Sequence, residues 1–257
     1  MKTVTLSKPA LKVIQDYLKL PFKNKDVSCP YFNNRKTNVR AALRVLIGKG
    51  SVKDIMEETK IISLREKVDL RNWNNEEIKK FLVDHNLGID CSGFVYYVLD
   101  RELKAQRKGG IKKHIKFPNI KNPIRKLIAK IRTVENTGVK TLSHEANSKT
   151  VEIKQVKPGD FISILKAGEK SDRDHVLVIH RVDYENNKPK TLYYTHSLSW
   201  RSDGKYDHGV RQGKIEITDL NKKITDQNWI EHKKTGKDNE TYLRAKNSKE
   251  CEIRRLK

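Results

Sequence analysis

Long apolar runs are missing from this chain, and no stretch approaches the roughly 20 apolar residues of a membrane-spanning helix. The segment Met1 to Pro9 carries Lys2 and Lys8 but neither an apolar core nor a small-residue cleavage site. It does not read as a secretory signal, so the expected compartment is the cytoplasm, with unconventional export left open. Cysteine is scarce too. Cys29, Cys91 and Cys251 are too few and too scattered for a disulfide framework, and they lack the paired spacing of a zinc site. His85, His114, His144, His208 and His232 show no ligand spacing either, so no metal and no other cofactor is expected. Acidic residues are outnumbered, 32 Asp+Glu against 55 Lys+Arg, for a net charge of +23. A field of that sign attracts nucleic acid, anionic lipid or anionic wall polymers. It equally describes a lysine-loaded surface, because the charge is spread along the chain.

Periodic apolar segments nevertheless recur throughout the 257 residues, enough to bury a sizeable core. Residues from about 7 to 86 read as helical. Pro9 to Leu20 presents Leu11, Val13, Ile14, Tyr17 and Leu18 on one face, with Ser7 as its cap. Further helices are expected from Val39 to Ile47, from Val52 to about Ile62 behind Ser51, and from Asn75 to Asp84. The string Gly48-Lys49-Gly50-Ser51 is not a phosphate loop, since Leu43 stands where the first glycine should be. From Val156 the pattern changes. Phe161 to Leu165, Val176 to Asp183, Thr191 to Ser197 and Gly209 to Thr218 are rich in β-branched and aromatic residues, with Glu252 to Leu256 as a closing strand. Short links between sequential strands imply an antiparallel sheet, and helices followed by such a sheet make an α+β fold.

Between these halves, Gly88 to Leu99 places an acid and a cysteine at the head of an apolar helix. Asp90 can cap it, leaving Cys91 in the first turn. There the free N–H groups and the helix dipole favour a thiolate, with a pKa below the roughly 8.5 of a free thiol. A thiol nucleophile needs a histidine as base and a polar neighbour to orient it. His175 and His196 are 21 residues apart, a spacing that suits two neighbouring antiparallel strands joined by a loop. His180 lies five positions from His175, so the two should point to opposite faces.

The string Asp90-Cys91-Ser92-Gly93-Phe94-Val95 resembles the nucleophile motif of the NlpC family, papain-like bacterial cysteine peptidases that cut cell-wall peptides. Asp174-His175-Val176-Leu177 resembles its histidine strand, and Tyr194-Thr195-His196 the strand of its third residue. Val156-Lys157-Pro158-Gly159-Asp160 resembles the turn that opens its first core strand. The resemblance covers about Asp84 to Thr218. The family's tyrosine and Gly-Gly approach to the cysteine is absent, and Asp84-His85-Asn86-Leu87-Gly88 stands there instead.

The resemblance implies a papain-like α+β domain over residues 84–257, preceded by a helical region over 1–83. It implies Cys91 as nucleophile, His175 as base and His196 as orienter, with Asp90 and Ser92 holding the substrate's amino end. The same two residues also fit a plain helix cap and a helix-start hydroxyl. The implied activity is a thiol protease or amidase acting on small, peptidoglycan-derived peptides; acyl transfer stays open. The alternative is a polyanion-binding protein on the same scaffold. A basic insertion at about 103–150 lies outside the resemblance. Its helix from Ile124 to Arg132 has an Ile/Leu stripe, expected to pack on the domain, with Arg125, Lys126, Lys130 and Arg132 outward. In that position it would narrow access to Cys91.

Overall fold

A computed structural model describes residues 1–34, 43–168 and 171–257. The architecture is α+β: helices lead into an open antiparallel sheet of eight strands among the described residues. In chain order the elements are β1 (Lys2–Thr5), α1 (Lys8–Leu18), α2 (Val52–Arg65), α3 (Asn75–Asp84) and α4 (Cys91–Ala105). The insertion folds into α5 (Pro123–Ile131), α6 (Thr133–Asn136) and α7 (Val139–Ser143). Then follow β2 (Ser148–Thr150), β3 (Phe161–Ala167), β4 (Arg173–Glu185), β5 (Lys188–Leu198), β6 (Gly209–Glu216), β7 (Asn228–Glu231), α8 (Glu240–Lys246) and β8 (Glu250–Leu256).

Local chemistry explains the helix starts. Ser51 and Asp54, and Asn74 and Glu77, form reciprocal capping boxes that satisfy the first amides of α2 and α3. The first four residues of the helix expected from Val39 to Ile47 lie outside the described residues. Its described end is a single 3₁₀ turn, Val45–Ile47, closed by Gly48.

The sheet runs β2-β8-β3-β4-β5-β6-β7. β4 is long enough to serve two partners on one edge. Its first half pairs with β3 (Phe161 opposite Val178), and its second half with β1 (Thr5 opposite Arg181). Strand alternation then sorts the side chains. Val176 and Val178 join the core that includes Phe94, Val95 and Val98 of α4, whereas Leu177 and Ile179 join a second core with Tyr194, Ile215 and Trp229. α4 is sandwiched between this sheet and α1, where the Tyr17 and Phe94 rings meet edge to face at 5.6 Å.

The insertion departs from expectation. Ile124, Leu127, Ile128 and Ile131 of α5 face solvent, and Ala129, on the opposite side of the helix, is the buried residue of α5. A methyl side chain lets the helix backbone approach the domain closely, which leaves the bulkier stripe outward. The segment nearest the sheet is α7, which packs on β3 and β4.

Candidate active site

Asp90 caps α4, its Oδ1 accepting the Gly93 N–H at 2.6 Å and the Ser92 hydroxyl at 3.1 Å. A third donor reaches the same cluster. The buried Lys49 ammonium donates to Asp90 Oδ1 at 3.0 Å, Ser92 Oγ at 2.6 Å and the Thr137 carbonyl at 2.9 Å. The backbone follows, with the Asp90 N–H donating to the Gly48 carbonyl at 2.9 Å. Gly48 is left-handed, φ +71°, and a Cβ there would meet the Phe32 carbonyl oxygen at 2.4 Å, so the approach requires glycine. The polar atoms of Asp90 and Ser92 are thus engaged by an internal cation.

The Cys91 thiol is buried at the head of α4, and the Val176 backbone, next to His175 in the chain, has a small influence that favours its thiolate form. Burial, reinforced by Asp90 and opposed by Lys49, pushes the thiol up to about 12. The expected depressed pKa is therefore not met. Desolvation outweighs the helix N-terminus, and burial likewise pushes Cys29 and Cys251 up to about 12.

β4 and β5 bring two histidines together. His196 follows Thr195, which pairs with Val178, and His175 Nε2 meets His196 Nδ1 at 2.7 Å. His196 Nε2 in turn lies 3.1 Å from Glu231 Oε2, at the end of β7. The Tyr194 hydroxyl donates to that same oxygen at 2.7 Å. Tyr194 reaches it because Gly213 has no side chain: a Cβ there would meet the Tyr194 oxygen at 2.3 Å. Burial raises the Glu231 carboxyl, but His196, Tyr194 and Arg211 outweigh it and hold the carboxyl below its usual range. Burial, with a smaller effect from His196, lowers His175 well below its usual value; burial also lowers His196.

These facts fix the protons. A carboxylate only accepts, so His196 carries its proton on Nε2 and offers the Nδ1 lone pair. His175 must then donate from Nε2, which leaves its Nδ1 with a free lone pair. His180 takes no part. It sits at a bulge of β4 with Nδ1 2.9 Å from Thr195 Oγ1, on the other side of the strand.

Three further residues escaped the sequence reading. Lys49 lies in a string that reads as a helix C-cap and fails as a phosphate loop, neither of which points to Asp90. Glu231 closes a short Asn-Trp-Ile-Glu run whose one signal is an acid at an inward strand position. Arg244, on α8, is a partly buried cation whose charge acts on Cys91, Tyr31, His175 and His196. Among the described residues no cluster of His, Cys, Asp and Glu suits a metal ion, and no helix is long and apolar enough to cross a membrane.

A helix headed by cysteine, packed on an antiparallel sheet that carries paired histidines, defines the papain-like class of α+β domains. The sequence profile of the NlpC/P60 family matches residues 72–234, more than half of the chain. The chain belongs to the NlpC/P60 family. Comparison with curated proteins and with solved structures returns no match.

Proposed function

We propose that the protein is a cysteine hydrolase that cleaves amide bonds in small peptides of the cell-wall class, using Cys91, His175 and His196. The observation that carries this reading is the hydrogen-bonded line from His175 through His196 to Glu231, which leaves His175 Nδ1 unprotonated on β4, the strand on which the cysteine-headed helix α4 packs. In the resting site both thiol and imidazole are neutral, because burial disfavours each charged form. Proton transfer therefore accompanies attack. The Cys91 proton passes to His175 Nδ1 as the sulfur bonds the carbonyl carbon, and the Cys91 backbone N–H stabilises the oxyanion. Collapse breaks the C–N bond, and His175 returns its proton to the leaving amine. Water, deprotonated by His175, then cleaves the thioester, releasing the acid and restoring the thiol. His196 orients His175, and Glu231 acts one step behind as a positioning residue.

The cations around the nucleophile shape substrate choice. Lys49 occupies Asp90 and Ser92, while Arg244 lends positive charge to the surroundings of Cys91, which favours an amide with a nearby carboxylate. Polyanion binding, supported by the net charge of +23, is a second property the same molecule can hold.

The test is mass spectrometry of stem peptides containing γ-linked glutamate after incubation with the protein. Wild type should release two fragments whose masses sum to that of the substrate plus one water. Cys91→Ala and His175→Ala should each lose more than a thousandfold in kcat/KM. Cleavage that survives Cys91→Ala, or a wild type that cleaves none of the peptides, would refute the reading.

A further inference from the structure

We propose that α5 is a docking surface for an anionic lipid bilayer. Ile124, Leu127, Ile128 and Ile131 are 69, 60, 49 and 62% exposed, and they are half of the large hydrophobic residues exposed among the described residues. Their spacing places all four on one face of a nine-residue helix. Such concentration is unlike the scattered single apolar residues of an ordinary surface.

The charge around the stripe names the occupant. Between Glu102 and Glu135 the chain carries eleven Lys and Arg and no Asp or Glu. Arg125 and Lys130 flank the stripe on α5, with Lys126 on the same helix and Lys121 just before it, all exposed, and none of them forms an ion pair among the described residues. Nucleic acid would satisfy the cations but hold four aliphatic side chains against phosphate and water. A second copy would bury the stripes but press two cationic rims together. A bilayer with anionic headgroups satisfies both, taking the aliphatic side chains at the acyl boundary while the basic stems reach outward to the phosphates. At 1.5 Å per residue the helix is about 14 Å long, so it can lie in the interface but not span it.

The test is sedimentation of the full chain with vesicles of phosphatidylcholine alone and with one third phosphatidylglycerol, at physiological salt. Wild type should pellet with the anionic vesicles and remain free with the neutral ones. Leu127→Ser with Ile131→Ser, and separately Ile124→Ser with Ile128→Ser, should each weaken partition at least tenfold. Arg125→Gln, Lys126→Gln and Lys130→Gln together should weaken it roughly a hundredfold, at about fivefold per charge. All these side chains are exposed, so the unfolding midpoint should not move. Cys91→Ala should bind vesicles like wild type, which separates this outcome from that of the proposed catalysis.

The proposal falls if wild type ignores anionic vesicles. It falls if both serine pairs bind like wild type, which would mean simple polyanion attraction. It also falls if light scattering finds a dimer that the serine pairs dissociate, since a second copy would then cover the stripe.

Discussion

Replacing Glu231 with Gln preserves the volume of the side chain and removes its charge, which isolates what the carboxylate does for the histidines. Its Oε2 accepts from His196 at 3.1 Å and from Tyr194 at 2.7 Å. A hydrogen bond to a charged group contributes about 1.5–3 kcal/mol. The preference for the Nε2–H form of His196 should weaken by that amount, because an amide can donate as well as accept. At about 1.4 kcal/mol per factor of ten, the ratio of the two His196 tautomers then shifts ten- to a hundredfold against the one that leaves His175 Nδ1 free. Turnover number should fall at least twofold, and by up to the full factor where the amide donates to His196 and makes the reversed tautomer dominant. KM should stay, since Glu231 is buried behind His196. Stability should fall as well, by up to about 3–5 kcal/mol, because Glu231 Oε1 lies 4.0 Å from the buried Arg211 Nε and the amide leaves that guanidinium to its pair with Asp203. The assay pairs kcat and KM across pH with the ¹⁵N shifts of the His196 ring, which report which nitrogen carries the proton. Glu231→Asp, which keeps the charge, should recover part of the loss. A kcat within twofold of wild type at every pH, with unmoved ring shifts, would refute the proton assignment.

Two predictions concern stability. Lys49→Met should cost about 3–5 kcal/mol in urea unfolding, because it leaves the Asp90 carboxylate buried without its cation, and adding Asp90→Asn should recover most of the loss; a single mutant as stable as wild type would show that the pair is not coupled. Burial lowers His180 from 6.5 to about 4 and also lowers His175, His196 and His208. These neutral imidazoles contribute stability that is full above the unfolded value and is lost as pH falls through 6.5 toward 4. His180 alone should cost about 3 kcal/mol by the end of that window. Unfolding midpoints flat across it would contradict the assignment.

Where local chemistry decides, the sequence was legible. Asn74 and Glu77 mark the start of α3 because both halves of a capping box lie within four residues. His175 and His196 could be paired because neighbouring antiparallel strands bring such positions together. Legibility failed where the deciding partner is remote. Lys2–Thr5 forms a strand only because β4 offers it an edge. The α5 pattern reveals a stripe but not what faces it. The Cys91 pKa was misjudged because helix position is written in the sequence and desolvation is not. Glu231 reaches His196 from 35 residues away through β6 and β7, a path no spacing rule anticipates.

The seam between β1 and β4 also sets a timetable. Lys2 pairs with Tyr184, so β1 waits while about 180 further residues are synthesised before its partner exists. Closing so long a loop is entropically costly and slow, although the cost grows only logarithmically with length. Until then β1 is an unpaired edge, open to pairing with other chains. Its short length and the lysine at its head limit that hazard. Glu231 emerges later still, so a nascent chain can have Cys91 seated at the head of its helix well before the last partner of its histidines has been made.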